Sequence, residues 1–189
     1  MQDQFRSGHH PGIQRVFQVT LLPRRQFMID DQQIGFTVRH LGLSKVRGRF
    51  NEFDGTVTIS PDLLTSSVSA NISLASVDTN NEMRDGHLQS ADFFNTEQNP
   101  TMSFVSTAVT ESSITGDLTL NGITKSVTLD LSYNGVAVDN YETTRAGFSA
   151  RGELNRSDFG INFNAPLGIG GLLVSDVVTI ELEIQVTRA

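Results

Sequence analysis

The sequence predicts an all-β fold made of antiparallel strands. Apolar and polar residues alternate with a period of two along most of the chain, glycine-containing pairs separate the alternating runs, and one segment departs from the pattern. This alternation is typical of half-buried strands, which turn one face to a core and the other to solvent. About eight to ten strands are expected, spaced closely enough to form a meander.

Five runs show the alternation most clearly, with Ser and Thr at most of their polar positions. They cover residues 56–60, 68–74, 113–120, 126–132 and 178–186. Thr suits a strand because branching at Cβ restricts its χ1 rotamers and fits a pleated surface. These runs therefore define the central strands of the predicted sheet.

Glycine-containing pairs predict where the strands turn. Asn121-Gly122 lies between two alternating runs and is the strongest hairpin signal, because a type I′ turn needs positive φ at both central residues. Asp54-Gly55 and Asn134-Gly135 are further hairpin-type pairs. Gly152 is predicted to mark a bulge or tight bend, as a curved sheet requires.

A sheet of this many antiparallel strands must protect its edges. A single open sheet would curl, and closure into a barrel removes both edges. A barrel of about eight strands has room for packed side chains or for one small ligand. A sandwich of two sheets would show the same alternation, so the residues alone leave both architectures open.

Residues 79–98 form the segment without alternation. We predict an inserted lid or connector with one or two helical turns. Asp78 or Thr79 could cap a short helix, and acidic residues follow near its positive end. Gly86 disfavours a long helix.

Composition excludes several classes of protein. The chain has 189 residues, no Cys and a formal charge of −7. Without Cys, disulfides, zinc–thiolate sites, iron–sulfur clusters and a cysteine nucleophile are impossible. The negative charge argues against a nucleic-acid partner, which a basic face would bind. Every apolar run is far shorter than the roughly 20 residues of a membrane-spanning helix, so no transmembrane segment is predicted.

The chain is predicted to be a single domain, residues 15–189, preceded by a flexible polar tail, residues 1–14. The early apolar stretch at 16–22 is broken by Gln and Thr. Arg24 and Arg25 follow it, where a secretion signal would have small residues. The sequence therefore favours a cytoplasmic protein.

The sequence contains no recognisable catalytic or metal-binding motif. The glycine-rich residues 168–171 lie between strands, which indicates a turn and not a phosphate loop. His40 and His87 are far apart in sequence, and a metal or catalytic site would need both to converge with a carboxylate such as Asp85 or Asp92. We therefore predict no catalytic residue, no metal and no cofactor.

Two interpretations remain open for the charged residues Arg84, Asp85 and His87. Arg84 and Asp85 could pin the connector to the rim of the barrel, where a buried pair needs good geometry to offset its desolvation. Alternatively, the three residues could hold the polar head of a ligand at the mouth.

The chain has 12 Phe and no Trp. The Phe residues are spread over nearly every predicted element, and in a closed barrel the inward residues of all strands converge. An interior lined by Phe, Val, Ile and Leu either fills itself or leaves an apolar tunnel. The sequence alone does not distinguish a filled barrel from a hollow one.

Six segments in register resemble the YceI-like family, which is polyisoprenoid-binding and lipocalin-like. They are FTVRHLG with SKVRGRF (36–42, 44–50), MRDGHL with DFF (83–88, 92–94), PTMSF (100–104), GDLTLNGITK (116–125), NRSDFG (155–160) and LVSD (173–176). Their order and spacing agree with the family over roughly residues 29–187. The stretch 29–36 is shorter than in the family and lacks its His-Ser pair.

The resemblance implies a lipocalin-like antiparallel barrel of about eight strands with a short helical insertion, enclosing a long apolar tunnel. It further implies binding of a long-chain isoprenoid, a quinone-like molecule or another amphiphilic lipid, for transport, storage or sequestration, and a possible homodimer. No catalytic residue carries over from the family, so we expect a binding protein and not an enzyme. The alternative is an enzyme, or a stress-response module, acting on a related lipophilic molecule.

The wall and the mouth of the tunnel are predicted to bind the ligand. Alternation puts Phe36 and Val38 on one face of a strand, and Leu118 and Leu120 on one face of another; we assign both pairs inward. The other predicted wall residues are His40, Phe50, Phe104, Phe148, Phe159 and Phe163. The predicted mouth residues are Arg84, Asp85, His87, Leu88, Phe93 and Phe94.

Overall fold

The computed structural model describes residues 25–60, 62–165 and 173–188. The predicted tail at 1–14, the apolar stretch at 16–22 and the glycine-rich turn at 168–171 lie outside these residues. Among the described residues, no helix is both long enough and apolar enough to cross a bilayer.

The described chain consists of antiparallel strands, one α-helix and short 3₁₀ turns. The strands are β1 (Arg25–His40), β2 (Ser44–Phe50), β3 (Phe53–Ile59), β4 (Ser67–Ser73), β5 (Val77–Asp78), β6 (Thr101–Val109), β7 (Ser113–Leu120), β8 (Ile123–Val138), β9 (Thr144–Asn155) and β10 (Val177–Arg188). The helix is α1 (Glu82–Gln89), and the 3₁₀ turns are Leu63–Thr65, Leu74–Ser76 and Arg156–Phe159.

The strands form one curled sheet that closes on itself. Neighbouring strands hydrogen bond in the order β10-β9-β8-β7-β6-β4-β3-β1, and β1 also pairs with β10 from Phe27 to Thr37. These eight strands make a ring, while β2 and β5 continue the sheet from the second half of β1. The predicted antiparallel barrel of about eight strands is confirmed, and a two-sheet sandwich is excluded.

The strand register defines two ends of the barrel. At one, which we call the helix end, β1 finishes at His40, which bridges to Val174, and Asn155 of β9 faces Val177 of β10. At the opposite, far end, the β6–β7 and β8–β9 turns lie near the start of β1, where Arg25 faces β3. The connector that contains α1 leads from β5 to β6 at the helix end.

Only one of the predicted hairpin pairs forms a turn. Asn121 and Gly122 join β7 to β8 with φ of 52° and 73°, as a type I′ turn requires. The Asp54-Gly55 prediction is wrong, because both residues lie inside β3 and pair with β4. The Asn134-Gly135 prediction is also wrong: the pair lies inside β8, where the register with β9 shifts and forms a bulge.

Gly152 was predicted to mark a bulge or bend, and the structure shows a different reason for this glycine. It pairs with Ile180 in an unbroken ladder between β9 and β10. A Cβ at this position would lie 2.5 Å from Cδ2 of Leu129. Close packing against β8, and not curvature, therefore requires glycine here.

The helical insertion is confirmed, although its cap is not the predicted one. The N-cap of α1 is Asn81, whose side-chain oxygen accepts a hydrogen bond from the amide of Arg84 at 3.0 Å. Asp78 and Thr79 were expected to cap the helix, but their side chains bind elsewhere in the connector. Asn serves the cap well because its short side chain reaches the free amides of the first turn.

The packed core is concentrated at the helix end. A cluster of buried residues there includes Leu74 and Phe159, which are 0% and 1% exposed, and the aromatic residues of the connector pack against it. A second, smaller cluster joins Val109, Ile114, Leu129 and Ala150. Two of the three fully buried large side chains thus lie in the 3₁₀ turns at the helix end, and the third, Val186, lies on β10.

We expect Leu74→Ala to lower the free energy of unfolding by about 2–5 kcal/mol, because it leaves a cavity in a site without solvent access. Leu64→Ala is the matched control: this side chain is 67% exposed in a 3₁₀ turn at the far end. Its effect should stay within about 0.5 kcal/mol. Urea unfolding followed by circular dichroism measures both, and equal effects would contradict the proposed location of the core.

Candidate functional site

The barrel encloses a cavity of about 1160 Å³. This volume exceeds the range of about 300–1,000 Å³ that is usual for small-molecule pockets. All eight strands of the ring contribute side chains to its wall, and the large majority of these are apolar. The barrel is therefore hollow, which answers the question that the sequence left open.

The cavity follows the long axis of the barrel. His40 and Phe163 line it at the helix end, and Glu111 and Val136 line it at the far end. Along β10, every second residue over 178–186 faces the cavity. At about 3.3 Å per residue, these positions alone span roughly 26 Å of strand. The space is long and suits an extended molecule.

Three glycines on the inner face of the wall keep the cavity wide. A Cβ on Gly48 would lie 2.3 Å from Cζ of Phe36, and a Cβ on Gly116 would lie 2.4 Å from Cζ of Phe104. Gly152 has the same relation to Leu129. The large side chain on each neighbouring strand thus lies flat over a glycine, and does not project across the cavity.

The connector at the helix end is fastened through one buried threonine. Thr79 is 4% exposed, and its amide and hydroxyl both donate to the carboxylate of Asp85. Arg84 donates from Nε to the hydroxyl oxygen of Thr79 and from Nη2 to its carbonyl, each at 2.7 Å. Of the two interpretations of Arg84 and Asp85, this geometry fits the structural one, in which they pin the connector.

The start of the connector is held by a second polar cluster. Asp78 accepts hydrogen bonds from the amide of Asn80 and from the side chains of Arg49 and Asn51. These contacts, the Asn80 amide first, hold the pKa of the Asp78 carboxyl below its ordinary value of 3.8. The carboxylate therefore stays charged and joins β2 to the connector across the β2–β5 pair.

His87 is the polar side chain best placed to meet a ligand. Its Nε2 lies 2.8 Å from a carboxylate oxygen of Asp92, and its ring packs edge-on against Phe93 and Phe163 at centroid distances of 5.0 and 4.9 Å. The ring lines the cavity, and Nδ1 has no hydrogen-bond partner among the described residues. Asp92 and the two aromatic rings fix the orientation of His87, so Nδ1 remains available.

Arg156 lines the same end of the cavity, and the sequence patterns do not single it out. This buried guanidinium donates to the carbonyls of Ser175, Ile161 and Phe163 at 2.8–3.0 Å. Burial lowers the pKa of Arg156, and the charge of Asp176 partly opposes this shift. The residue fixes the segment that carries Phe163, and only its place in the run NRSDFG hinted at such a role.

The structure brings together all but two of the predicted site residues. Asp85 does not line the cavity, because its carboxylate is turned to Thr79. Phe159 does not line it either: its ring is buried in the cluster behind the wall. The predicted residues that do line the cavity are Phe36, Val38, His40, Phe50, Arg84, His87, Leu88, Phe93, Phe94, Phe104, Leu118, Leu120, Phe148 and Phe163.

Much of the aliphatic wall was not singled out from the sequence. Leu129 and Leu131 of β8 and alternate residues of β10 line the cavity throughout its length. Alternation assigns these residues to one face of each strand. It does not show which of the two faces turns inward.

Among the described residues, His40 and His87 do not converge on a common carboxylate. His87 contacts Asp92, but His40 is hydrogen bonded to neither Asp92 nor Asp85, and the carboxylate of Asp85 is bound to Thr79. Within residues 25–60, 62–165 and 173–188, no three His, Asp or Glu residues converge as metal ligands would. The site is an apolar cavity with a few polar side chains at its ends.

Comparison with known proteins agrees with this architecture. A UPF0312 protein of Staphylococcus aureus is 40% identical over 148 residues, which cover 77% of this chain and 86% of that protein. The crystal structure of the Campylobacter jejuni YceI protein aligns with a TM-score of 0.68 at 30% identity, covering 80% of this chain and 90% of that one.

A polyisoprenoid binding domain from Saccharophagus degradans aligns with a TM-score of 0.62, covering 86% of this chain and 98% of that domain. At 14% identity, this likeness shows a shared fold alone. The family model of the YceI-like domain matches residues 27–186, which is nearly the whole described barrel. The chain thus belongs to the YceI-like family.

Proposed function

We propose that this protein binds a long-chain isoprenoid or similar amphiphilic lipid in the barrel, and that it transports, stores or sequesters that lipid. The observation that carries the proposal is the long cavity of about 1160 Å³ with an almost wholly apolar wall. A polar ligand would lose its hydrogen bonds to water and find few partners there. An apolar chain gains about 0.8 kcal/mol for each buried methylene.

The comparisons support this assignment by likeness. The Saccharophagus degradans domain that shares the fold is described as polyisoprenoid-binding. A branched, unsaturated chain of this kind has the length and the apolar character that the cavity accepts.

The polar head of the lipid is proposed to lie at the helix end. His87 lines the cavity at this end, and Phe93 and Phe163 flank its ring. Because the Asp92 carboxylate accepts a hydrogen bond from Nε2 of His87, Nδ1 of the neutral ring is an acceptor, to which an alcohol head group would donate while its tail extends along β10. The proposal is binding of the lipid, without a reaction on its head group.

Lipid extraction tests the proposal directly. The protein purified from its host should release a long-chain lipid into organic solvent at close to one molecule per chain, detected by mass spectrometry. Lipid-free protein should bind a C40 prenol added in detergent. Recovery of no lipid, together with failure to bind the prenol, would overturn the proposal.

We expect Ala150→Phe to abolish or strongly reduce lipid binding. Ala150 lines the cavity midway along β9, so a benzyl group there would obstruct the path of the chain. Ala137→Phe adds the same group to an exposed position on β8 and is the matched control. Binding of the C40 prenol and the thermal midpoint are measured for both variants; equal binding by the two variants would contradict a tail threaded along the barrel.

We expect Thr79→Val to loosen the connector and accelerate release of the lipid. The substitution keeps the shape of the side chain, but removes the hydroxyl shared by Asp85 and Arg84. Leaving such groups without a partner costs about 1–3 kcal/mol. Amide hydrogen exchange over residues 80–98 should become faster, as should prenol dissociation.

Thr115→Val is the control for this change. The hydroxyl of Thr115 also makes a hydrogen bond, to Thr128, but on the outer surface of the barrel. It should leave both exchange and dissociation unaltered. If Thr79→Val releases lipid at the wild-type rate, the connector does not gate the cavity.

A further inference from the structure

The β1–β2 hairpin carries a concentration of positive charge in an acidic protein. Residues 33–51 contain four Lys or Arg and no Asp or Glu, although the net charge of the chain is −7. Arg49 is paired with a carboxylate of β5 at 2.7 Å. Arg39, Lys45 and Arg47 are exposed, and their side chains make no ion pair with another described residue.

The register of the hairpin places like charges together. Arg39 lies directly opposite Lys45 in the β1–β2 pair, and Arg47 is the next residue on the same face of β2. Like charges at directly opposed positions destabilise an antiparallel pair. The fold gains nothing from this arrangement, whereas an anionic partner would offset the repulsion.

The tip of the hairpin is apolar and lies beside the cavity. Leu43 is 83% exposed and Leu41 is 39% exposed in the turn between the strands. The amide of Leu41 donates to the carbonyl of Leu173, and His40 and Leu173 both line the cavity. Exposed leucines among cations, next to an apolar cavity, are typical of a surface that enters a lipid interface.

The loops of the opposite end carry no such concentration of positive charge. The loops at 60–66, 110–112 and 139–143 contain Asp62, Glu111, Asp139 and Glu142, and no Lys or Arg, although β1 begins and β10 ends at an arginine there and Arg145 pairs with Asp139. An anionic surface would therefore attract the hairpin more strongly than the loops of the far end, which orients the barrel.

The connector at the same end is acidic. Asp85 is bound to Thr79, and Asp92 lies 2.8 Å from His87, whereas Glu82 and Glu97 are exposed. The positive charge at this end is therefore concentrated on the outer face of the hairpin, and an anionic surface would be bound by that face and not by the connector.

We propose that the β1–β2 hairpin docks the protein on an anionic lipid bilayer. Arg39, Lys45 and Arg47 bind lipid phosphates, and Leu41 and Leu43 enter the interface between the head groups. This places the helix end of the cavity against the membrane. An acidic protein would satisfy the cations but would leave the exposed leucines unexplained. The inference goes beyond lipid binding in the cavity and does not require it.

Vesicle flotation tests the proposal with the full chain. The wild type should float with phosphatidylcholine vesicles that contain about 30% phosphatidylglycerol, and not with phosphatidylcholine alone. Binding should fall as salt rises from about 0.05 to 0.5 M, because salt screens the attraction. Equal flotation with both vesicles, or none with either, would overturn the proposal.

Variants locate the surface. Each cation near an anionic membrane contributes about fivefold to binding, so the combination of Arg39→Gln, Lys45→Gln and Arg47→Gln should weaken it on the order of 100-fold. Leu43→Ser should also weaken binding. Leu64→Ser should not, because Leu64 is an exposed leucine at the far end of the barrel.

Arg151→Gln is the control for charge, since Arg151 is exposed on the outer face of β9 and pairs with Glu181. If the two control variants weaken vesicle binding as much as the hairpin variants do, the hairpin is not a specific docking surface. Binding of the wild type to polyglutamate, without flotation, would assign the cations to an acidic polypeptide and reject the membrane. Ala150→Phe should still float, so docking is tested separately from cavity binding.

Discussion

The pairing of β1 with β10 is the interaction on which the rest of the structure depends. It joins the first and last described strands from Phe27 to Thr37 and satisfies the backbone groups that an open sheet would expose. Because the ring of hydrogen bonds holds the wall together, the strands do not need side chains meeting at the centre to stay in place. A wide apolar interior is therefore compatible with a stable fold.

Closure also explains why the packed core is displaced to one end. The side chains that seal the helix end, such as Leu74 and Phe159, supply the dense packing that a filled barrel would have at its centre. The connector adds Phe93 and Phe94 to that cluster and is fastened by Thr79. Dense packing and open space are thus separated: the helix end contains most of the packed core, and the long wall of β8, β9 and β10 encloses most of the cavity.

Local sequence patterns predicted the strands and one turn, which depend on neighbouring residues. They failed for features that depend on contacts between residues distant in sequence. Alternation located the strands, and Asn121-Gly122 located a turn, because both follow from neighbouring residues. The Asp54-Gly55 prediction failed because β2 and β3 do not pair with each other: β2 pairs with β1 and β5, and β3 pairs with β1 and β4. The hollow interior was not predictable, since it depends on which large side chain meets which glycine across strands. Arg156 was missed because its partners are loop carbonyls that no motif encodes.

The inner-face glycines have a consequence for how this family could diversify. Gly48 and Gly116 each accommodate a phenylalanine ring from the neighbouring strand, so the bore of the barrel depends on single methyl-sized increments at a few positions. At Gly48 a change to alanine would displace only side chains, above all the ring of Phe36, whereas at Gly116 the new Cβ would also lie 2.6 Å from the backbone oxygen of Val105. The girth of the lumen can thus change at Gly48 without disturbing the scaffold, whereas at Gly116 girth and backbone are coupled.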